Sequence, residues 1–428
     1  MKSREPSFSP MCGQRALRRK EVAVSTDPSN APRPLPDRPN LRHLKDQAKD
    51  LVKTGIARSL TAAQYQIARL YGFASWPKLR AFVESFGQVR ELKQAIDTND
   101  LVRVNSLMTR NPELHRAPLG YGKDGPLTWV AECRVPWEPP SPARLAMAKW
   151  MIENGSDVHQ GGDGPLMRAA LNAYRIPMME LLVSYGADVN AEWHGDFPII
   201  FAPCESADPE ALKWLLDHGA NPNCNARGGT ALDYLIGTYA RSPVRLSACI
   251  DALLDAGGTT RFNAPGVLEV LLRQLDRLAE QLDADSTLLH QRFPDLTCGS
   301  TGGRRLLLQG ATLLHVAAEF GNVDAASLLL DRGADVNARA TVDDAGVGGQ
   351  TAIFHAVTQW DDRGLPMAQL LVERGADLGV RVKLPGHYER PDEVVDCTPL
   401  GYARQFQDES QSDEGRTVAF LRERGAIE

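Results

Sequence analysis

Apolar residues along most of this chain fall into short helical blocks that end alike. A pair of large aliphatic residues is followed by a few polar ones, a glycine, and then Ala-Asp-Val-Asn or a relative. The phrase reads Leu181-Leu182-Val183-Ser184-Tyr185-Gly186-Ala187-Asp188-Val189-Asn190 in one copy and Leu329-Leu330-Asp331-Arg332-Gly333-Ala334-Asp335-Val336-Asn337 in another. Its glycines are Gly155, Gly186, Gly219, Gly257, Gly333, Gly375 and Gly425, separated by 31, 33, 38, 76, 42 and 50 residues. The gap of 76 is twice 38, which predicts one degenerate repeat inside it. The physics of the phrase is simple. A glycine just past a helix end adopts the left-handed C-cap that other residues disfavour. The leucines before it face a neighbouring repeat, because one helix pair cannot bury its apolar face alone.

Upstream, Leu41, Leu44, Ala48, Leu51 and Val52 recur at helical spacing. Thr61 with Gln64 predicts a capping box for a second helix carrying Ala63, Ile67, Leu70 and Tyr71, stopped at Gly72. Ser75 and Pro77 predict the start of a third, with Leu79, Phe82 and Val83 inward. Residues 1–38 are proline-rich, lean basic and have no apolar period, so they are expected to be a disordered tail.

Inside the long gap, Val267, Leu268, Leu271, Leu272, Leu275, Leu278 and Leu282 predict one long amphipathic helix over 266–282. The run from Leu289 through Arg292 and Pro294 to Leu296 echoes Leu107, Arg110, Pro112 and Leu114. A variant unit is therefore expected to open the array near 88 and to recur near 266. The stretch 298–309, with Gly299, Gly302 and Gly303, is expected to be a loop at a seam between two sub-arrays, and the first site of proteolysis. The expected organisation is a tail (1–38), a helical module (39–86), a first sub-array (88–260), a degenerate repeat with a seam loop (261–309) and a second sub-array (310–428).

Composition changes this picture little. Hydrophobic content of 43% and charged content of 24% are those of a globular chain. A net charge of −6 does not point to nucleic acid. The 7 cysteines include no CxxC pair, which predicts reduced thiols and a cytoplasmic setting. No apolar run approaches the roughly 18 residues of a membrane helix.

Candidate chemistry is sparse. There is no GxxxxGK[ST], HExxH or GxSxG. The string Gly-Ser-Thr-Gly-Gly-Arg-Arg at 299–305 has the glycines of a phosphate nest but no lysine and no helix cap after it. No paired His/Cys spacing suits a metal, and no cofactor is expected. Cys133 and Cys204 have no histidine near in sequence and are expected to be inert. His194, His387 and Tyr388 are expected on surface loops.

The Gly-Ala-Asp-Val-Asn phrase at a period near 33, with Thr312-Leu313-Leu314-His315-Val316-Ala317-Ala318 and the shorter start Thr398-Pro399-Leu400, resembles the ankyrin repeat. The resemblance covers 88–428 and is closest at 162–224 and 310–340. The YGFASWPKL string at 71–79, with Pro39-Asn40-Leu41 before it, resembles a leader found ahead of ankyrin repeats in bacterial proteins.

What the resemblance implies is an all-α solenoid and a non-enzymatic scaffold, a monomer that binds a protein partner, with no nucleic acid or membrane involved. It also implies that His315 is structural, bonding the turn between repeats. The groove positions it marks are Glu132, Leu171, Asn172, Glu205, Thr238, Glu319, Phe320, Thr358, Gln359 and Phe406, and the finger positions are Trp193, His194, Arg227 and Arg339. Trp193, Phe320 and Phe406 are expected to be exposed anchors, since aromatic residues dominate binding hot spots. Two alternatives to a general scaffold are an inhibitor or immunity protein that occludes a basic toxin or enzyme, and an enzyme with a site in the 39–86 module or at the seam.

The expectation that follows is a monomeric, non-enzymatic, all-α repeat scaffold for a protein partner, preceded by a small helical module and a disordered tail.

Overall fold

The computed structural model describes residues 33, 35–36, 39–132, 140–172, 175–238, 242–296, 298, 304–387, 390, 392–406 and 415–428. Most of the expected tail, Cys133, Tyr388 and the glycines at 299, 302 and 303 lie outside the described residues. The chain divides into two compact units, Met1–Arg90 and Glu91–Glu428.

The first unit holds helices Leu41–Lys53 and Leu60–Leu70 and the start of Trp76–Asp97. Leu44, Ala48, Ala63, Ile67, Ala68, Leu79 and Val83 form its core. The second helix is capped two residues earlier than the Thr61 capping box predicts. The Ser59 hydroxyl accepts from the Ala62 amide at 3.2 Å, so Leu60 already lies in the helix. Phe82, expected inward, is 44% exposed, and Val52 and Leu70 are also exposed. Phe82 packs on Phe73, with ring centroids 5.2 Å apart, instead of on the core.

The second unit is a row of helix pairs. The inner helices include Pro126–Glu132, Gln160–Leu171, Phe201–Ser206, Ala231–Gly237, Val267–Leu271, Leu313–Glu319, Ala352–Ala356 and Pro399–Gln405. Their outer partners run from Pro142–Glu153 to Arg416–Glu423. Two short antiparallel hairpins, Glu192–Trp193 with Phe197–Pro198 and Val382–Pro385 with Val394–Cys397, stand among otherwise helical elements.

The recurring glycine closes each outer helix in one way. Gly186 has φ 98° and Gly333 φ 96°. The next amide then reaches back to the leucine four residues before the glycine: Ala187 to the Leu182 carbonyl at 3.1 Å, and Ala334 to Leu329 at 2.9 Å. This is a Schellman closure. The leucine that receives it is the fully buried one, as at Leu182, Leu215, Leu329 and Leu371.

The expected long helix over 266–282 is two helices, Val267–Leu271 and Leu275–Ala284. Arg273 takes a left-handed φ of 59°, and the Gln274 amide bonds to the Glu269 carbonyl at 2.9 Å. The break makes this stretch a helix pair like its neighbours. The variant unit also has a different register from the one its sequence echo suggests. Asn111 (φ −138°, ψ 87°) ends helix Leu101–Arg110, and Asp285 (φ −145°, ψ 93°) ends Leu275–Ala284; a 3-10 turn follows each. Leu289 therefore corresponds to His115 and not to Leu107. In both units an extended polar residue and a 3-10 turn replace the glycine.

The last helix is capped from the preceding repeat. Asp362, in a left-handed turn at φ 56°, accepts from the Arg416 amide at 3.0 Å and the Thr417 amide at 2.9 Å. Asp362→Ala is expected to cost about 1 kcal/mol, as loss of a cap does. Faster hydrogen exchange confined to 418–423 would report it. Burial pushes the Asp362 carboxyl up, but the Thr417 and Arg416 bonds outweigh it and leave it below the usual range. Its contribution is thus present above the unfolded carboxylate pKa and lost as pH falls through the lower folded value.

Candidate partner-binding surface

The fingers are tied together by the asparagine of the recurring phrase. The Asn190 amide group donates to the Gly219 carbonyl at 3.0 Å and its oxygen accepts from the Asn221 amide at 2.8 Å. Asn223 does the same with Gly257 and Thr259, and Asn337 with Gly375 and Asp377. Each side chain thus supplies a donor and an acceptor to the next repeat. Asn337→Ala removes both bonds and is expected to lower stability by about 1–2 kcal/mol in urea unfolding.

His315 is structural. Its Nδ1 faces the Thr312 amide at 3.2 Å and the Thr312 hydroxyl at 2.9 Å, and its Nε2 donates to the Gln350 carbonyl of the next repeat at 3.1 Å.

Trp193 and His194 turn back onto their own chain. The Trp193 Nε1–H donates to Asp124 Oδ2 at 2.6 Å, and His194 Nε2 lies 2.9 Å from Asp124 Oδ1. The hairpin tip is seated on the turn at Gly161 and Gly162, where the His194 amide donates to the Gly161 carbonyl at 2.8 Å. A Cβ on Gly162 would lie 2.2 Å from the Glu192 carbonyl oxygen, so glycine is required there. Trp193 is half-buried and His194 exposed. Arg227 is exposed, pairs with Asp196 and lies over the Phe197 ring.

Among the groove positions, Leu171 and Asn172 are half-buried, and Glu132 pairs with the buried Arg168 at 3.0 Å. Glu205 is buried and accepts from the Tyr234 hydroxyl at 2.9 Å; Thr238 is buried too. Over residues 310–428, three of the expected groove positions are buried. Phe320 is 5% exposed, Thr358 5% and Glu319 0%. Phe320 and Glu319 are therefore not exposed contacts. Glu319 Oε2 receives Arg304 Nη2 and His355 Nδ1, each at 2.7 Å, and Arg304 and His355 are themselves buried. Gln359 is half-buried and donates to the Glu319 and His355 carbonyls. Phe406 is half-buried against Tyr402, with ring centroids 5.0 Å apart. Arg339 is exposed and donates to the Gly349 carbonyl at 3.0 Å.

The described residues of 298–309 form no helix or strand; Cys298, Arg304, Leu306 and Leu308 are buried, whereas Arg305, Leu307 and Gln309 are exposed. Sequence reasoning missed Asp124, Arg304 and His355. Nothing in their local spacing distinguishes them, because their partners are distant in sequence.

Among the described residues, three buried thiols are held in the protonated, weakly nucleophilic form. Burial raises Cys204 well above the ordinary thiol value and pushes Cys249 and Cys397 up to about 12. Among the described residues no group of three or more His, Cys, Asp or Glu is placed to hold a metal ion, and no helix is long and apolar enough to cross a membrane.

Residues 143–226 and 280–382 match the family model for ankyrin repeats (3 copies), so the chain carries ankyrin repeats there. The chain is similar to the B-cell lymphoma 3 protein homolog of Mus musculus, 28% identical over 252 residues. That match covers 58% of this chain and 43% of the relative, so it spans less than half of that protein. Among solved structures, the human ASB11 ankyrin repeat domain matches at 18% identity and a TM-score of 0.31, covering 71% of this chain and 99% of that one.

Proposed function

We propose that this chain is a non-catalytic scaffold that holds a protein partner on the groove and fingers of its first sub-array. The observation that carries the reading is the run of ankyrin repeats in which Leu171, Asn172, His194 and Arg227 keep solvent exposure. Repeat arrays present such extended surfaces, since each repeat adds a similar patch beside the last. The net charge of −6 suits a basic partner surface. The leader resemblance at 71–79 favours a bacterial source, and the free cysteines suit a reducing compartment such as the cytoplasm.

The test uses the full chain as bait in extract of its host, beside the variants Leu171→Ala and Arg227→Glu. The expected result is a protein retained by the parent chain and lost with the variants, while their melting temperatures stay near the parent's. Retention unchanged by both variants, or no retained protein at all, would sink the reading.

A further inference from the structure

The helical module carries net charge of the opposite sign to the repeats. Residues 39–90 hold nine basic and three acidic residues, whereas 91–428 hold 31 basic and 47 acidic. Two of the three acids are already paired within the module, Asp46 with Lys49 and Glu84 with Arg80. The module also leaves apolar surface uncovered. Among the described residues, seven of the 13 exposed large hydrophobic side chains lie in it, including Tyr65, Phe82 and Phe86. Such a concentration of exposed apolar surface marks a contact site.

Charge and apolar surface meet on helix Trp76–Asp97. Lys78, Phe82, Phe86 and Arg90 follow one another at four-residue spacing, which places them along one stripe of the helix. All four are exposed. An apolar pair is thus bracketed by a cation at each end. Phe73 continues the apolar row: its ring centroid is 5.2 Å from that of Phe82, which is 6.2 Å from that of Phe86. The three rings match about two turns of a second helix laid beside them. An open cleft of about 340 Å³ adjoins the stripe, lined by Pro39, Asn40, Leu41, Val83, Glu84 and Arg90.

Charge and geometry decide among the occupants. A second copy of the module would bring like charge to the stripe, and so would segment 1–38, with eight basic and four acidic residues. Stacked nucleobases need free ring faces, and these rings lie tilted against one another, at 53° and 36°. A lipid surface reads no spacing, whereas the stripe runs cation, apolar pair, cation over about 18 Å of helix. We propose that this stripe docks an acidic amphipathic helix of a partner protein. Its aliphatic face lies on Phe73, Phe82 and Phe86, and its carboxylates reach Lys78 and Arg90. Peptide helices dock on apolar surfaces through anchors at such spacing, and the flanking cations fix the register. This surface is separate from the one on the repeats, and neither proposal depends on the other.

The test is a fluorescein-labelled peptide of about 18 residues, rich in glutamate, with leucine at every third or fourth position. It is titrated onto the full chain at low salt and followed by anisotropy. Saturable binding is expected. It should weaken at least about tenfold in Phe82→Ser/Phe86→Ser, as truncated anchors do. It should weaken about as much in Lys78→Glu/Arg90→Glu, and decline as salt rises. The four side chains are exposed, so the variants should melt with the parent chain. If Phe82→Ser/Phe86→Ser unfolds, the charge-reversed chain decides alone. Absence of binding, or equal binding by parent and folded variants, would overturn the proposal. So would equal binding of a peptide with serine in place of every leucine, because that contact would be charge alone. Tighter binding of phosphatidylserine vesicles or of oligo-dT than of the peptide, lost in the same variants, would overturn it in favour of a lipid surface or a nucleic acid. Self-association of the full chain, lost in the same variants, would give the stripe to the acidic repeats of a second copy and overturn it too.

Discussion

Phe320→Ala is expected to lower the unfolding free energy by about 3–5 kcal/mol, the range for truncating a buried phenylalanine. Its place after Ala317-Ala318 suggests an open groove slot, where the same change would leave stability almost untouched. The structure makes the side chain 5% exposed. Its backbone closes the inner helix, with the Phe320 amide on the Val316 carbonyl at 3.1 Å. Loss of the buried ring would leave a cavity. Relaxation into that cavity would be partial, so the loss would include a cavity term beyond the transfer of the ring itself. Urea unfolding of the full chain measures it. A change below about 0.5 kcal/mol, the range of ordinary surface substitutions, would contradict the burial.

How much was legible in advance follows from how local each feature is. The Gly186 and Gly333 caps were readable because a left-handed residue at a helix end selects glycine. The role of His315 was readable from the ankyrin resemblance, which implies a histidine bonding the turn between repeats; here its partners are Thr312 and Gln350. The break at Arg273 was not, since no glycine or proline marks it and leucines continue on both sides. Tertiary packing turns an apparently continuous helical period into two helices there. The buried groove positions over 310–428 were also illegible: Arg304 follows a run of glycines that reads as a loop, and its pairing with Glu319, 15 residues on, is set by the fold. The candidate surface suffered most from this. Glu319, Phe320 and Thr358 have the right slots for contact but are buried, and the pairing of Glu319 with Arg304 lies outside the repeat pattern.

Acidification is expected to weaken the fold through His315. Its Nδ1 accepts from the Thr312 amide and hydroxyl while its Nε2 donates to Gln350, so both ring nitrogens are used by the neutral form. A proton on Nδ1 would face two donors. Burial is the main cause that lowers the imidazole, to about 3; the His355 ring 5.8 Å away and Arg292 add to it, and the Gln350 bond opposes them. In the unfolded chain the ring titrates near 6.5. The folded value is the lower one, so between the two the unfolded chain binds more protons. The contribution of His315 is therefore complete above about pH 6.5 and declines as pH falls, by about 2 kcal/mol at pH 5. The comparison that isolates it is His315→Gln, which does not titrate at this position and leaves the other ionisable groups in place. The stability advantage of the parent chain over His315→Gln should shrink by about 2 kcal/mol between pH 7 and pH 5 in urea unfolding. Parallel stability curves for the two chains across that range would mean that His315 is not held neutral in the folded state.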